Sequence, residues 1–290
     1  VQDRENKTVK GFDVTTTNGL ITIANKKTIT ATPNAEEQYT LKLTFVNYEG
    51  DQTANATSTL SAKVMIQKEP IVTTLASYIT NLYTGTQGEN GIYYHDASLT
   101  NGAGDNSYRF AGASDAVNNY VCFGSTTTPC PADNLYRIIG VFGDKVKLIK
   151  ATSVGDKAWD SNNKNTWSAS SLNTYLNGEY LTSLGTLADK IATTTWKVGG
   201  GSSTKLLDVP STAYQYEVGS NASTTTVDKK IGLMYVSDYG FAADQSAWTT
   251  KLDSYASNVS NIWLILGNSE WTISPVSDGT GTAFSLFGGN

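Results

Sequence analysis

One histidine, His95, and two cysteines, Cys122 and Cys130, bound the chemistry open to this 290-residue chain. A Ser-His-Asp triad would have to use His95. A zinc site needs several His or Cys ligands, and a four-cysteine iron–sulfur cluster needs more thiols than exist here. With no further Cys or His to complete a metal site, Cys122 and Cys130 read as a disulfide closing the loop FGSTTTP, worth about 2–3 kcal/mol by loop closure. His95, between Tyr94 and Asp96, reads as structural.

The remaining candidates are carboxylates and aromatics. Glu179, Asp189, Asp238 and Glu270 could supply the two positioned acids of a glycosidase, but sequence spacing alone does not pair them. Asp238, in Val236-Ser-Asp-Tyr-Gly240, equally suits a helix or turn cap. Asp160-Ser-Asn-Asn-Lys-Asn165 offers oxygens for calcium. It lacks the sixth-position Gly and closing Glu of an EF-hand loop, so calcium is unsupported and a solvated turn is expected. No cofactor is expected. Trp159, Trp167 and Trp248 stand in polar, loop-like surroundings and read as surface residues able to stack on a ligand. Trp263 and Trp271 sit in apolar runs and read as core. The binding set expected from these patterns is Trp159, Asp160, Trp167, Asp238, Tyr239 and Trp248. No catalytic residue is assigned. Val198-Gly-Gly-Gly-Ser-Ser-Thr-Lys205 lacks the Gly-Lys-Ser/Thr of a phosphate loop and reads as a plain loop.

Those residues need a scaffold. Charged residues are only 16% and the net charge is −5, against roughly 25% charged in an average soluble domain. No basic footprint for nucleic acid exists, and no stretch is apolar enough to span a membrane. Six Trp and sixteen Tyr against two Met and two Cys fit an exported protein. Residues 1–69 alternate apolar and polar at 19–24, 39–46 and 58–66, with a turn at 47–52, and read as a small β-sandwich. Pro70 opens an expected connecting helix over 70–85. Residues 86–290 read as an α+β domain with long loops. Its clearest element is a hairpin, Tyr136–Phe142 and Lys145–Lys150 around Gly143-Asp144. Short strands are expected at 91–94, 120–123, 230–236, 261–266, 270–274 and 283–287, and helices at 168–176, capped by Ser168, and 187–196.

Several motifs in order carry a resemblance. Leu135-Tyr-Arg-Ile-Ile-Gly-Val-Phe142 and Val146–Lys150 are followed by Trp159-Asp160 and Trp167–Asn177. Lys230–Gly240 and Trp271-Thr-Ile-Ser-Pro275 come later. Together they resemble a bacterial exported surface-protein family of undefined function with a C-type-lectin-like, or formylglycine-generating-enzyme-like, fold. The resemblance runs from about residue 70 to the end. It implies an Ig-like sandwich over 1–69 and a lectin-like domain over 86–290, lacking a closing C-terminal strand. It also implies a non-enzymatic module at the bacterial cell surface, anchored to membrane or wall in the full-length protein. Its partner would be an extracellular glycan or protein. A stalk without ligand is the second reading and a carbohydrate-active enzyme the third.

Overall fold

The computed structural model describes residues 74–259, 261–264, 270–277 and 283–286, the last four as backbone only. All belong to a unit spanning 72–290. The sandwich expected over 1–69, the helix start at Pro70, and parts of the 261–266 and 283–287 strands lie outside the described residues.

Helix α1 (Leu75–Leu82) begins at Thr74, whose hydroxyl accepts the Ser77 amide while Ser77 returns a bond to the Thr74 amide. This reciprocal capping satisfies two of the free amides of the first turn. Its buried residue, Ile79, packs against the sheet. The sheet contains β1 (Ile92–His95), β2 (Ser107–Phe110), β3 (Tyr120–Cys122), β4 (Leu135–Phe142) and β5 (Lys145–Lys150), all antiparallel. β4 is the hub: β3 pairs with its first half and β2 with its second, and β5 runs along its other edge. The hairpin β4–β5 forms as expected. Gly143 takes φ 64°, the left-handed conformation that a two-residue hairpin turn places on glycine. Cys122 and Cys130 form the expected disulfide, with Cα atoms 5.7 Å apart.

Beyond the sheet, α2 (Ser171–Tyr175) runs through a π turn at Leu176–Tyr180 into α3 (Leu181–Ser183). The cap is Ser170 rather than Ser168; its hydroxyl accepts the Asn173 amide. Next come β6 (Thr194–Lys197), α4 (Ser203–Leu206), α5 (Pro210–Glu217) and β7 (Thr226–Lys229), then α6 (Val236–Ala242), α7 (Tyr255–Asn258), β8 (Glu270–Pro275) and β9 (Ala283–Leu286). β6 pairs with β7, and β8 with β9.

The helix expected over 187–196 does not form. A 3-10 segment ends at Lys190, and the Thr run that follows enters β6; β-branched residues favour the extended chain. The strand expected over 230–236 is also absent, apart from a bridge between Met234 and Thr272. The amides of Tyr235, Val236 and Ser237 bond instead to the carboxylates of Asp238 and Glu217, so they are not free for a ladder.

Three buried clusters hold the unit together. The largest joins α1, the sheet, α6 and Trp263. The second gathers Trp159, Trp167, Leu172, Leu176 and Ile273. The third packs Phe241 and Trp248 against Ala103 and Ala111. α5 and α6 approach so closely that a Cβ on Gly240 would lie 2.5 Å from the Pro210 ring, which explains a glycine inside a helix. Among the described residues no helix is long and apolar enough to cross a membrane.

Candidate functional site

A cleft of about 1360 Å³ opens between the sheet and the elements that follow it. One wall is β5. The opposite wall carries Leu172, Leu176, Tyr180 and Leu184 from the α2–α3 helix, then residues 190–196 and 230–235. Glu270 and Trp271 also line it. A smaller cavity of about 290 Å³, near Asp244 and Asn261, has no cation or aromatic in its lining.

The floor is built by α6. Glu217, at the end of α5, is buried and accepts the Val236 amide at 2.7 Å and the Ser237 amide at 2.9 Å, together with the Ser274 hydroxyl. It thereby takes up two of the open N–H groups of the helix start. Burial pushes its pKa up, and these hydrogen bonds only partly oppose that. Asp238 returns a bond to the Tyr235 amide at 2.9 Å. Its other contacts are cations: Arg109 at 3.4 Å and Lys147.

Arg109 is buried and reaches further. It donates to Asp105 at 2.8 Å and to the Ser107 hydroxyl at 2.8 Å, and lies over the rings of Phe142, Tyr214 and Phe241. Asp105 is pushed up by burial, but Arg109 and Ser107 outweigh that and bring it down. Lys147 sits 4.8 Å from the centre of the Tyr235 ring and 5.4 Å from that of Trp196, a cation–π seat. Tyr239 is buried and donates its hydroxyl to Glu270. Burial and then the neighbouring Glu270 carboxylate raise its pKa well above the ordinary phenol value.

Charge in the cleft runs against the chain as a whole. Lys145, Lys147 and Lys150 come from β5, Lys157 from the next loop, and Lys190 and Lys230 from the far wall, with Arg109 at the floor. These are seven of the thirteen Lys and Arg residues beyond position 73, whereas five of the eighteen acids there line the cleft. Two of those five, Asp105 and Asp238, are held by Arg109. Lys145 and Lys230 donate to the carbonyls of Thr193 and Ala188 rather than to acids.

Of the six expected binding residues, the structure brings Asp238 and Tyr239 into this cleft. The surface placement of Trp159, Trp167 and Trp248 is corrected: all three are buried. Their neighbours in sequence are polar, but each indole has an apolar bed. Trp159 packs on Trp167 and Trp271 and donates to the Lys164 carbonyl. Trp248 packs on Phe241 and His95 and donates to the Ala243 carbonyl. Asp160 is buried too, accepting the amides of Asn162, Lys164 and Ser171; this is the turn reading. Trp263 is core as expected, whereas Trp271 is half-buried and lines the cleft. Glu179 and Asp189 are exposed and outside it.

Sequence reasoning missed Lys147, Arg109, Tyr235 and Trp196. The three lysines of Lys145–Lys150 were the available signal. His95 is fully buried away from the cleft, with Nδ1 accepting the Ala103 amide at 3.0 Å. Its imidazole packs edge-on against Phe241.

Asp238 is engaged by two cations and a backbone amide, and Glu270 by a phenol. No group of three or more His, Cys, Asp and Glu able to hold a metal occurs among the described residues. No family model matches the chain, and neither a curated protein nor a solved structure matches it.

Proposed function

We propose that this chain is a non-enzymatic ligand-binding module of a bacterial cell-surface protein, and that its ligand enters the cleft beside β5. The observation that carries the reading is the cleft itself. At about 1360 Å³ it exceeds the usual 300–1,000 Å³ of a small-molecule site. It joins an apolar wall, half-buried aromatics and an excess of cations in an otherwise acidic chain. The disulfide agrees with export to an oxidising compartment. On the resemblance of its motifs, we read the unit carrying the cleft as a C-type-lectin-like domain preceded by an Ig-like sandwich.

The test is binding to glycan and peptide arrays, with Leu184→Arg and Trp271→Ala as cleft variants, each first checked for a cooperative melt. Saturable binding that falls about tenfold or more in both variants supports the reading. A well-folded chain that captures nothing on either array is a spacer.

A further inference from the structure

We propose that the ligand is an extended peptide, acidic at one end, that adds as a strand to the open edge of β5. This rests on the reading of the cleft as a ligand site and names the ligand's class.

The argument begins with the lining. All six residues of β5 border the cleft. Successive side chains of a strand point to opposite faces. A cleft that touches both sets therefore runs along the strand's edge, beside its backbone groups. Among the described residues β5 pairs with β4 alone, so that edge has no strand partner there. An edge strand presents a row of N–H and C=O groups, which a second extended chain satisfies and a sugar does not. Six residues at about 3.3 Å each give a seat of about 20 Å.

The side chains around the edge set the composition. Leu184, Ile191, Ile231 and Leu233 are half-buried in the cleft lining and suit apolar residues at alternate positions. At the Lys145 end, the Ala188–Thr193 segment receives two ammonium groups and carries Lys190 beside the exposed Asp189. Lys145 and Lys230 donate to its carbonyls and Lys190 lies within it. None of the three has an ion pair among the described residues. Asp144 and Asp156 stand exposed at the rim and Asp189 is exposed outside the cleft, and none of the three pairs with these lysines. Lys147 and Lys150 are already paired with Asp238 and Asp133 and Lys157 lies over the Tyr175 ring, so the acidic end of the ligand belongs beside Lys145. Lysines also protect edge strands from non-specific pairing, but that role needs no apolar wall across a cleft.

The experiment uses the full chain and a fluorescein-labelled octapeptide alternating Val with polar residues, two of them Glu at one end. Anisotropy gives the affinity, and amide exchange by NMR locates it. Three controls are a peptide with Lys in place of Glu, one N-methylated at alternate residues, and the protein variant Lys145→Glu/Lys230→Glu. The proposal expects saturable binding, protection of alternate β5 amides, at least tenfold weaker binding for the Lys peptide and the charge-reversed protein, and loss of the N-methylated peptide. Binding that is indifferent to N-methylation, or that leaves β5 amides unprotected, overturns strand addition while the cleft remains a ligand site. An oligogalacturonate that binds where the peptide does not overturns the peptide and keeps the cleft. Failure of every peptide and glycan overturns both readings.

Discussion

The carboxylate of Glu217 receives the amide of Val236 at 2.7 Å, so the last residue of α5 holds the first turn of α6. The same carboxylate takes the Ser237 amide and the Ser274 hydroxyl. Truncation in Glu217→Ala strands these donors in a dry site, where each unsatisfied group costs about 1–3 kcal/mol. Partial relaxation is expected, giving a loss of about 2–4 kcal/mol in urea unfolding. A loss below about 1 kcal/mol would mean that water or a neighbour takes the place of the carboxylate.

Asp238 is the only acid bridging Arg109 and Lys147 among the described residues. Removing one partner of a buried pair costs about 3–5 kcal/mol. Asp238→Asn is expected near the lower figure, because the amide oxygen still accepts the Tyr235 amide. Asp238→Ala is expected nearer the upper one. Thermal melts of the two variants should rank in that order; equal melting points would show that the cations find other partners.

His95 sets an acid limit. Burial first, and then the Arg109 charge, lower its pKa from 6.5 to about 2, with Asp105 opposing. The folded value lies below the unfolded one, so its contribution is full above about pH 6.5 and is lost as pH falls from there toward 2. The slope is about 1.4 kcal/mol per pH unit. As the sole histidine, it can be followed cleanly. Its ring protons should not titrate between pH 8 and 4 by NMR, and the urea midpoint should fall between pH 6.5 and 5. In His95→Gln the histidine part of that slope should vanish. A native titration near pH 6.5 would contradict the burial.

Reducing Cys122–Cys130 opens a small loop that hangs from β3 of the sheet. The expected loss is about 2–3 kcal/mol. Intact mass with alkylation should find both thiols protected in native protein and two adducts after reduction. Adducts without reductant would remove the support for an oxidising compartment.

Local signals in the sequence carried the elements that local chemistry dictates. The hairpin was legible because Gly143 sits between two apolar runs, and the disulfide because one histidine and two cysteines are too few to complete a metal site. The segment 230–236 misled because its apolar alternation is that of a strand, while side chains distant in sequence or just beyond it take its amides: Asn177 that of Ile231, Asp238 that of Tyr235 and Glu217 that of Val236. The tryptophans misled because polar neighbours in sequence say little about whether the fold supplies an apolar bed for the indole. The cleft was not legible. Its lining comes from residues as far apart as Asp105 and Trp271, and of its floor only Asp238 and Tyr239 stood out in advance.

Arg137 has a further consequence. It is buried in β4 and donates to the Asn119 side chain and to the carbonyls of Val117 and Trp263. Trp263 lies 126 positions later, and Arg109 waits 129 positions for Asp238. A ribosome adding about 5–20 residues per second needs on the order of ten seconds to cover such a gap. During synthesis the central strands therefore emerge with two guanidinium groups whose nearby acceptors, Asp105 and Ser107 for Arg109 and Val117 and Asn119 for Arg137, are already made, while one distal acceptor of each does not yet exist. Hydrated, these cations oppose premature collapse of the half-made sheet, and they become buried only when the distal segments arrive. The order of emergence thus delays completion of the core until most of the unit is available.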